Sequence, residues 1–174
     1  HPLFNVINGG TIKNINFENV DINRPDQNQI ATLGFNLKNK GLIEDVKVTG
    51  SVTGNNDVAG IVNKIDEDGK IENVAFVGKI NSVGNNSTVG GIAGSNYMGF
   101  VNRAYVDATI TAQNANASML VPFVTYMLNS WKSGTKARVT NSVAKGVLDV
   151  KNTRNVGGIV AKTWPYGAVQ DNVT

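Results

Sequence analysis

GLIEDVKV, residues 41–48, decides the fold, because the chain repeats it in six imperfect copies. The phrase is a glycine or alanine, any residue, a β-branched residue, any residue, a corner residue that is usually Asn or Asp, and then an apolar residue. It opens again at Gly10 (GTIKNINF), Gly69 (GKIENVAF), Gly99 (GFVNRAYV), Ala137 (ARVTNSVA) and Gly167 (GAVQDNV). The spacing is roughly 30 residues, and a period of about 20 to 50 residues marks one supersecondary unit stacked on copies of itself. The chain therefore reads first as a solenoid.

A second phrase keeps step with the first, ahead of it in every copy. It is VAGIV from Val58, VGGIA from Val89 and VGGIV from Val156, with degenerate forms at Pro2 (PLF), Ile30 (IATLG) and Leu120 (LVPFV). Two signatures locked together are far harder to obtain by chance than one glycine-rich match.

Within a copy the apolar positions step by two and then break. Ile43 is followed by Val46, Val48 and Val52. A period of two is a strand with alternate residues inward, and the step of three inserts a corner at Asp45. Down the stack that corner is Asn14, Asp45, Asn73, Arg103, Asn141 and Asp171. Asn and Asp tolerate left-handed backbone and bond to neighbouring amides, so Asn14, Asp45, Asn73, Asn141 and Asp171 are the predicted structural corner, with Arg103 breaking the pattern. A small position further on, Gly50, Gly78, Ala108 and Gly146, is expected to let the chain turn again. Three short strands per coil, each continuing into its equivalent one coil later, predict an all-β parallel β-helix. It would have about five to six coils of roughly 30 residues. A helical array is disfavoured, because β-branched residues dominate and Gly and Asn recur in every unit.

Composition agrees with a folded chain full of corners. The 174 residues are 41% hydrophobic and 17% charged, and include 19 glycines. Asparagine supplies roughly one residue in seven, well above ordinary usage. The absence of cysteine excludes a disulfide framework and any thiolate metal site. A net charge of +3 comes from scattered basic residues with no clustered face, which argues against a nucleic-acid partner. The longest apolar run, residues 119–128, is too short to cross a bilayer, so no membrane insertion is expected. The chain starts and stops inside repeat copies and reads as one β-solenoid segment, 1–174, of a larger multidomain protein.

The paired phrases, VGGIAG at 89–94 and GKIENV at 69–74, resemble the GLUG repeat of bacterial surface proteins. With LFNVINGGTIKNI at 3–15, the arrangement is similar to the repeat-bearing region of the streptococcal zinc metalloproteases that cleave immunoglobulin A1. The resemblance implies a large cell-wall-associated, extracellular parent whose zinc site lies elsewhere, so that zinc is a cofactor of the parent and not of this segment. The implied partners are other domains of the parent, with immunoglobulin A1 as a further candidate. The HExxH signature of such an enzyme needs two histidines one helical turn apart and a glutamate, whereas the single histidine here is His1.

Catalysis by the segment itself finds little support. Ser-His-Asp and Cys-His arrangements are excluded by the lone histidine and missing cysteine. The acids Asp57, Asp66, Glu67 and Asp68 include a run better read as a solvated turn than as the converging carboxylates of a carbohydrate-active β-helix enzyme. The irregular positions lie between the two phrases of each copy, in a loop that every coil presents on one edge. There the last three coils carry Tyr97, Tyr126, Trp131, Trp164 and Tyr166, flanked by Lys132 and Lys136. An exposed aromatic ridge with basic neighbours marks a docking surface. Docking within the parent is preferred over local packing and over an external glycan or immunoglobulin. The expected role is a non-catalytic spacer that positions domains or substrate, the alternatives being a glycan-binding adhesin stalk and a carbohydrate-active enzyme.

Overall fold

The computed structural model describes residues 2–85, 87–124, 137–152, 154–163, 168–170 and 172–173. Among them there is no helix, and every strand pair is parallel. Strands numbered in chain order stack into three faces. The first face holds β1 (Phe4–Asn8), β3 (Gly34–Lys38), β6 (Val62–Ile65), β9 (Ala93–Asn96), β13 (Phe123–Val124) and β17 (Lys162–Thr163). The second holds β2 (Thr11–Arg24), β4 (Leu42–Gly54) and β7 (Lys70–Ser82), then β10 (Phe100–Asn102) with β11 (Tyr105–Gln113), β14 (Arg138–Thr140) with β15 (Val143–Lys151), and β18 (Ala168–Gln170). The third holds β5 (Val58–Ala59), β8 (Thr88–Gly90), β12 (Asn116–Ser118) and β16 (Asn155–Gly157).

The chain is thus a parallel β-solenoid. About four turns carry a strand on all three faces, fewer than the five to six read from the repeats. The difference lies at both ends: in the first coil the third face is reduced to one isolated bridge from Ile30 to Val58, and the coil of β17 and β18 has no third-face strand among the described residues. Side chains bonded across adjacent coils are 28 to 31 residues apart in the first coils and 38 or 39 apart where a coil is enlarged.

The repeat phrases fall in register. Ile12, Ile43, Ile71, Val101 and Val139 form one inward column on the second face, and Phe17, Val48, Phe76, Val106 and Ala144 form another. Ile43, Ile71, Val48, Phe76 and Val106 are fully buried, each such side chain contributing about 1.5–3 kcal/mol of transfer free energy. Facing them, Val58, Val89 and Ala117 stack on the third face. This register corrects one sequence reading. The degenerate copy begins at Ala117, which pairs with Val89, and not at Leu120. Small Ala117 and Ser118 match the phrase by size, and the more apolar run three residues on had obscured them.

At the described corner positions the backbone is left-handed. Asn14, Asp45, Asn73 and Asn141 have φ of 55°, 52°, 52° and 50°; Asp171 lies outside the described residues. Arg103 does not break the backbone pattern, since its φ is also 52°. Its guanidinium meets Glu72 Oε1 at 2.6 Å, and the neighbouring Asn102 supplies the amide bridging that an asparagine corner would have made. Asn102 donates to Glu72 in one coil and accepts from Asn141 in the next.

The second predicted turn is a bend without a break. Gly50 and Gly78 sit inside continuous strands at φ of 135° and 152°, so the second face runs as one 13-residue strand in those coils and not as separate short pieces. Glycine is required there because a Cβ on Gly78 would lie 1.8 Å from the Gly50 carbonyl oxygen.

Candidate functional site

Of the predicted ridge, Tyr97 is described; Tyr126, Trp131, Lys132, Lys136, Trp164 and Tyr166 lie outside the described residues. Tyr97 follows β9 immediately and is half-buried, while its neighbour Met98 is buried. The Lys64 ammonium lies 4.7 Å from the Tyr97 ring centroid, a cation–π contact reaching across one coil. The Phe123 ring, one coil further on, sits 6.0 Å away at 60°, the tilted arrangement that aromatic quadrupoles favour. Sequence reasoning found the aromatic and missed Lys64 as its basic neighbour. The signal was register: Lys64 pairs with Ser95, two residues before Tyr97.

These groups border a groove of about 300 Å³ where the third face turns into the first. Its walls include Phe35, Asp57, Asn63, Lys64, Thr88 and Tyr97. Asp57 has left-handed backbone at φ 55° and its Oδ1 accepts from both the Thr88 amide and the Thr88 hydroxyl, each at 3.0 Å. Asn63 is 4% exposed, and its Nδ2 donates to the carbonyls of Ile30, at 3.0 Å, and Asp57. Its Oδ1 has no partner among the described residues. Lys64 pairs with Asp66 Oδ2 at 2.8 Å.

Two of the acids in the predicted turn region are held by local hydrogen bonds. Asp57 caps β8, while Asp66 accepts the Glu67 amide at 3.1 Å and its carbonyl accepts the Gly69 amide at 2.8 Å. Glu67 and Asp68 follow at φ of 42° and 63°, a tight left-handed turn. Among the described residues no three His, Cys, Asp or Glu side chains converge on a point where a metal ion could sit.

Elsewhere on the second face, Lys145 meets Asp107 Oδ2 at 2.9 Å. The hydrogen bond to Asp107, and then Tyr105, raise the lysine above its ordinary range. Stability from a raised lysine is complete below the ordinary value and is lost as pH climbs through the raised one. The exposure of the Lys145 side chain, at 60%, and solvent screening keep the contribution small.

Similarity to known proteins covers the chain from end to end. Residues 1–50 match the family model described as the M26 IgA1-specific metallo-endopeptidase N-terminal region. All of the chain aligns with zinc metalloprotease ZmpB of Streptococcus pneumoniae at 53% identity. The relatives that it matches include further streptococcal proteases. Zinc metalloprotease ZmpC of the same organism is 30% identical over 99% of the chain, and the immunoglobulin A1 protease of Streptococcus sanguinis is 26% identical over 94%. In each case the chain spans 9% of the relative's length. No solved structure matches the chain significantly.

Proposed function

We propose that this chain is a non-catalytic β-solenoid module of a bacterial surface zinc metalloprotease acting on immunoglobulin A1, where it spaces domains and positions substrate. The observation that carries this reading is the pairing of full-length similarity with small coverage: 53% identity along the whole chain against 9% of a zinc metalloprotease. The single histidine, His1, leaves the segment without the histidine pair that an HExxH site needs. The parent would hold its zinc elsewhere, and the repeat would be of the GLUG kind. Its docking surface would be the ridge of Tyr97, Tyr126, Trp131, Lys132, Lys136, Trp164 and Tyr166.

Two measurements test the reading. Purified segment incubated with immunoglobulin A1 should leave it intact, and any hinge cleavage by the segment would sink the proposal. In the full-length protease, Trp131→Ala with Trp164→Ala should lower the rate of immunoglobulin A1 cleavage several-fold while the segment's thermal unfolding stays unchanged. A rate that is unaltered, or lost only together with folding, would remove the docking role.

A further inference from the structure

The groove where the third face turns into the first has in its wall a carboxylate, Asp57, that the fold fixes in place and leaves without a cation. We propose that the groove is a binding site for a primary alkylammonium group, the group that a lysine side chain presents.

Asp57 is tied down through both its main chain and its side chain. Its carbonyl accepts from the Ile30 amide at 3.0 Å and from Asn63 Nδ2. Its Oδ1 accepts from the Thr88 amide and the Thr88 hydroxyl, each at 3.0 Å. These bonds hold a half-buried carboxylate in one orientation. Two donors fill the lone pairs of Oδ1, so Oδ2 is the oxygen left to receive a ligand.

No cation among the described residues pairs with Asp57. Their ion pairs join Lys64 to Asp66, Arg103 to Glu72 and Lys145 to Asp107. Lys64 shares the groove wall, but its ammonium already sits 2.8 Å from Asp66 and over the Tyr97 ring. The wall therefore keeps one negative charge without a partner, and a partly desolvated charge is stabilised by an ion that pairs with it. The geometry also discriminates between cations. A guanidinium gains its advantage by bonding both carboxylate oxygens at once, and Oδ1 is already occupied. An ammonium is a compact point charge that needs Oδ2 alone.

The shape suits a single long side chain. The half-buried rings of Phe35 and Tyr97 line the groove, and the methylene stem of a lysine lies readily along apolar surface while its head stays polar. About 300 Å³ is at the small end of ligand pockets. The strands beside it are paired on both sides, β6 by β3 and β9, and β8 by β5 and β12. An extended peptide thus finds no strand edge to add to, the usual way a sheet captures one. Recognition falls to an inserted side chain, and it stands apart from the spacer role because every group involved lies within this chain.

The test is a titration of the isotopically labelled 174-residue chain, followed by amide chemical shifts. The probes are end-blocked Gly-Lys-Gly, Gly-Arg-Gly and Gly-norleucine-Gly peptides, and butylammonium. Saturable shifts at Asp57, Thr88 and Tyr97 are expected with an alkylammonium: with the lysine peptide alone where the site reads a polypeptide, and with butylammonium equally where it takes a free amine. The arginine peptide should bind several-fold more weakly and the norleucine peptide not at all. Asp57→Asn keeps an acceptor for Thr88 and tolerates the left-handed φ of 55°, so it should preserve the rest of the spectrum while weakening ammonium binding at least tenfold. Raising the ionic strength from about 0.05 M to about 0.5 M should weaken binding to the unaltered chain several-fold. No saturable shift with either ammonium, equal binding of the norleucine peptide, or equal or tighter binding of the arginine peptide would overturn the site. Undiminished binding in folded Asp57→Asn would do the same and, should that variant not fold, so would binding indifferent to salt.

Discussion

At the scale of single residues the solenoid rests on amide side chains that do two things at once. Asn73 holds a left-handed corner at φ 52°, and its Nδ2 donates to Asp45 Oδ1 of the preceding coil. Asn39 to Asn8, Asn114 to Asn85 and Asn155 to Asn116 repeat the bond at other edges, each at 2.6 Å. The heavy asparagine usage is accounted for by this pairing of backbone tolerance with a donor and an acceptor on one short side chain. Asn73→Ala should destabilise by about 1–2 kcal/mol in denaturant unfolding, combining left-handed strain with the lost bond. Asn73→Gly should cost clearly less, because glycine removes the strain and forfeits only the bond. Equal losses would show that the corner angle is not what selects asparagine.

Among elements, the second-face strands show how a bend is shared down a column. Gly50, Gly78, Ala108 and Gly146 stand in register, and the three glycines have positive φ of 135°, 152° and 123°. Added Cβ atoms on Gly78 and Gly146 would meet the carbonyl oxygen one coil back at 1.8 Å and 1.9 Å. Ala108 is absent from the positive-φ positions, so its methyl is tolerated. Gly78→Ala should therefore cost about 3 kcal/mol or more, whereas Ala108→Gly should cost only about 0.5–1 kcal/mol, for flexibility. Unfolding of the two variants side by side checks this, and comparable losses would contradict it. The column was legible in the sequence as a recurring small residue, and the left-handed corner as a recurring Asn or Asp. What periodicity could not convey is cross-coil compensation. Phe76 fills the interior so fully that a Cβ on Gly60 would lie 2.6 Å from its ring, while at the level of small Ala144 a methionine, Met119, takes the equivalent place. The groove was hidden for the same reason, since Asn63, Thr88 and Tyr97 come from different coils and meet only through register.

At the scale of the whole molecule, each coil touches its neighbours alone, so stability is a sum of local and nearest-neighbour contributions. Those contributions are unequal along the rod. In the central coils Ile43, Val48, Val52, Ile71 and Phe76 are fully buried. In β2 the equivalent Ile12, Phe17 and Ile22 are only half-buried, as are Leu148 and Val150 in β15. Exposed Leu3, Phe4 and Ile15 at one end, and Val143, Val147 and Val156 at the other, leave the end coils with less apolar burial to offset the entropy of ordering them. Native-state hydrogen exchange on the 174-residue chain should accordingly show a gradient. Amides of Val48 and Phe76 should exchange slowest, near the global unfolding free energy, and those of β2 and β15 faster by at least tenfold. Ile71→Ala, costing about 2–5 kcal/mol, should lower the protection of β7 and of its stacked neighbours β4 and β10 most, because its cavity opens in β7 between Ile43 and Val101. Uniform protection from end to end, falling uniformly in the variant, would mean that the coils open as a single unit and that the nearest-neighbour description fails.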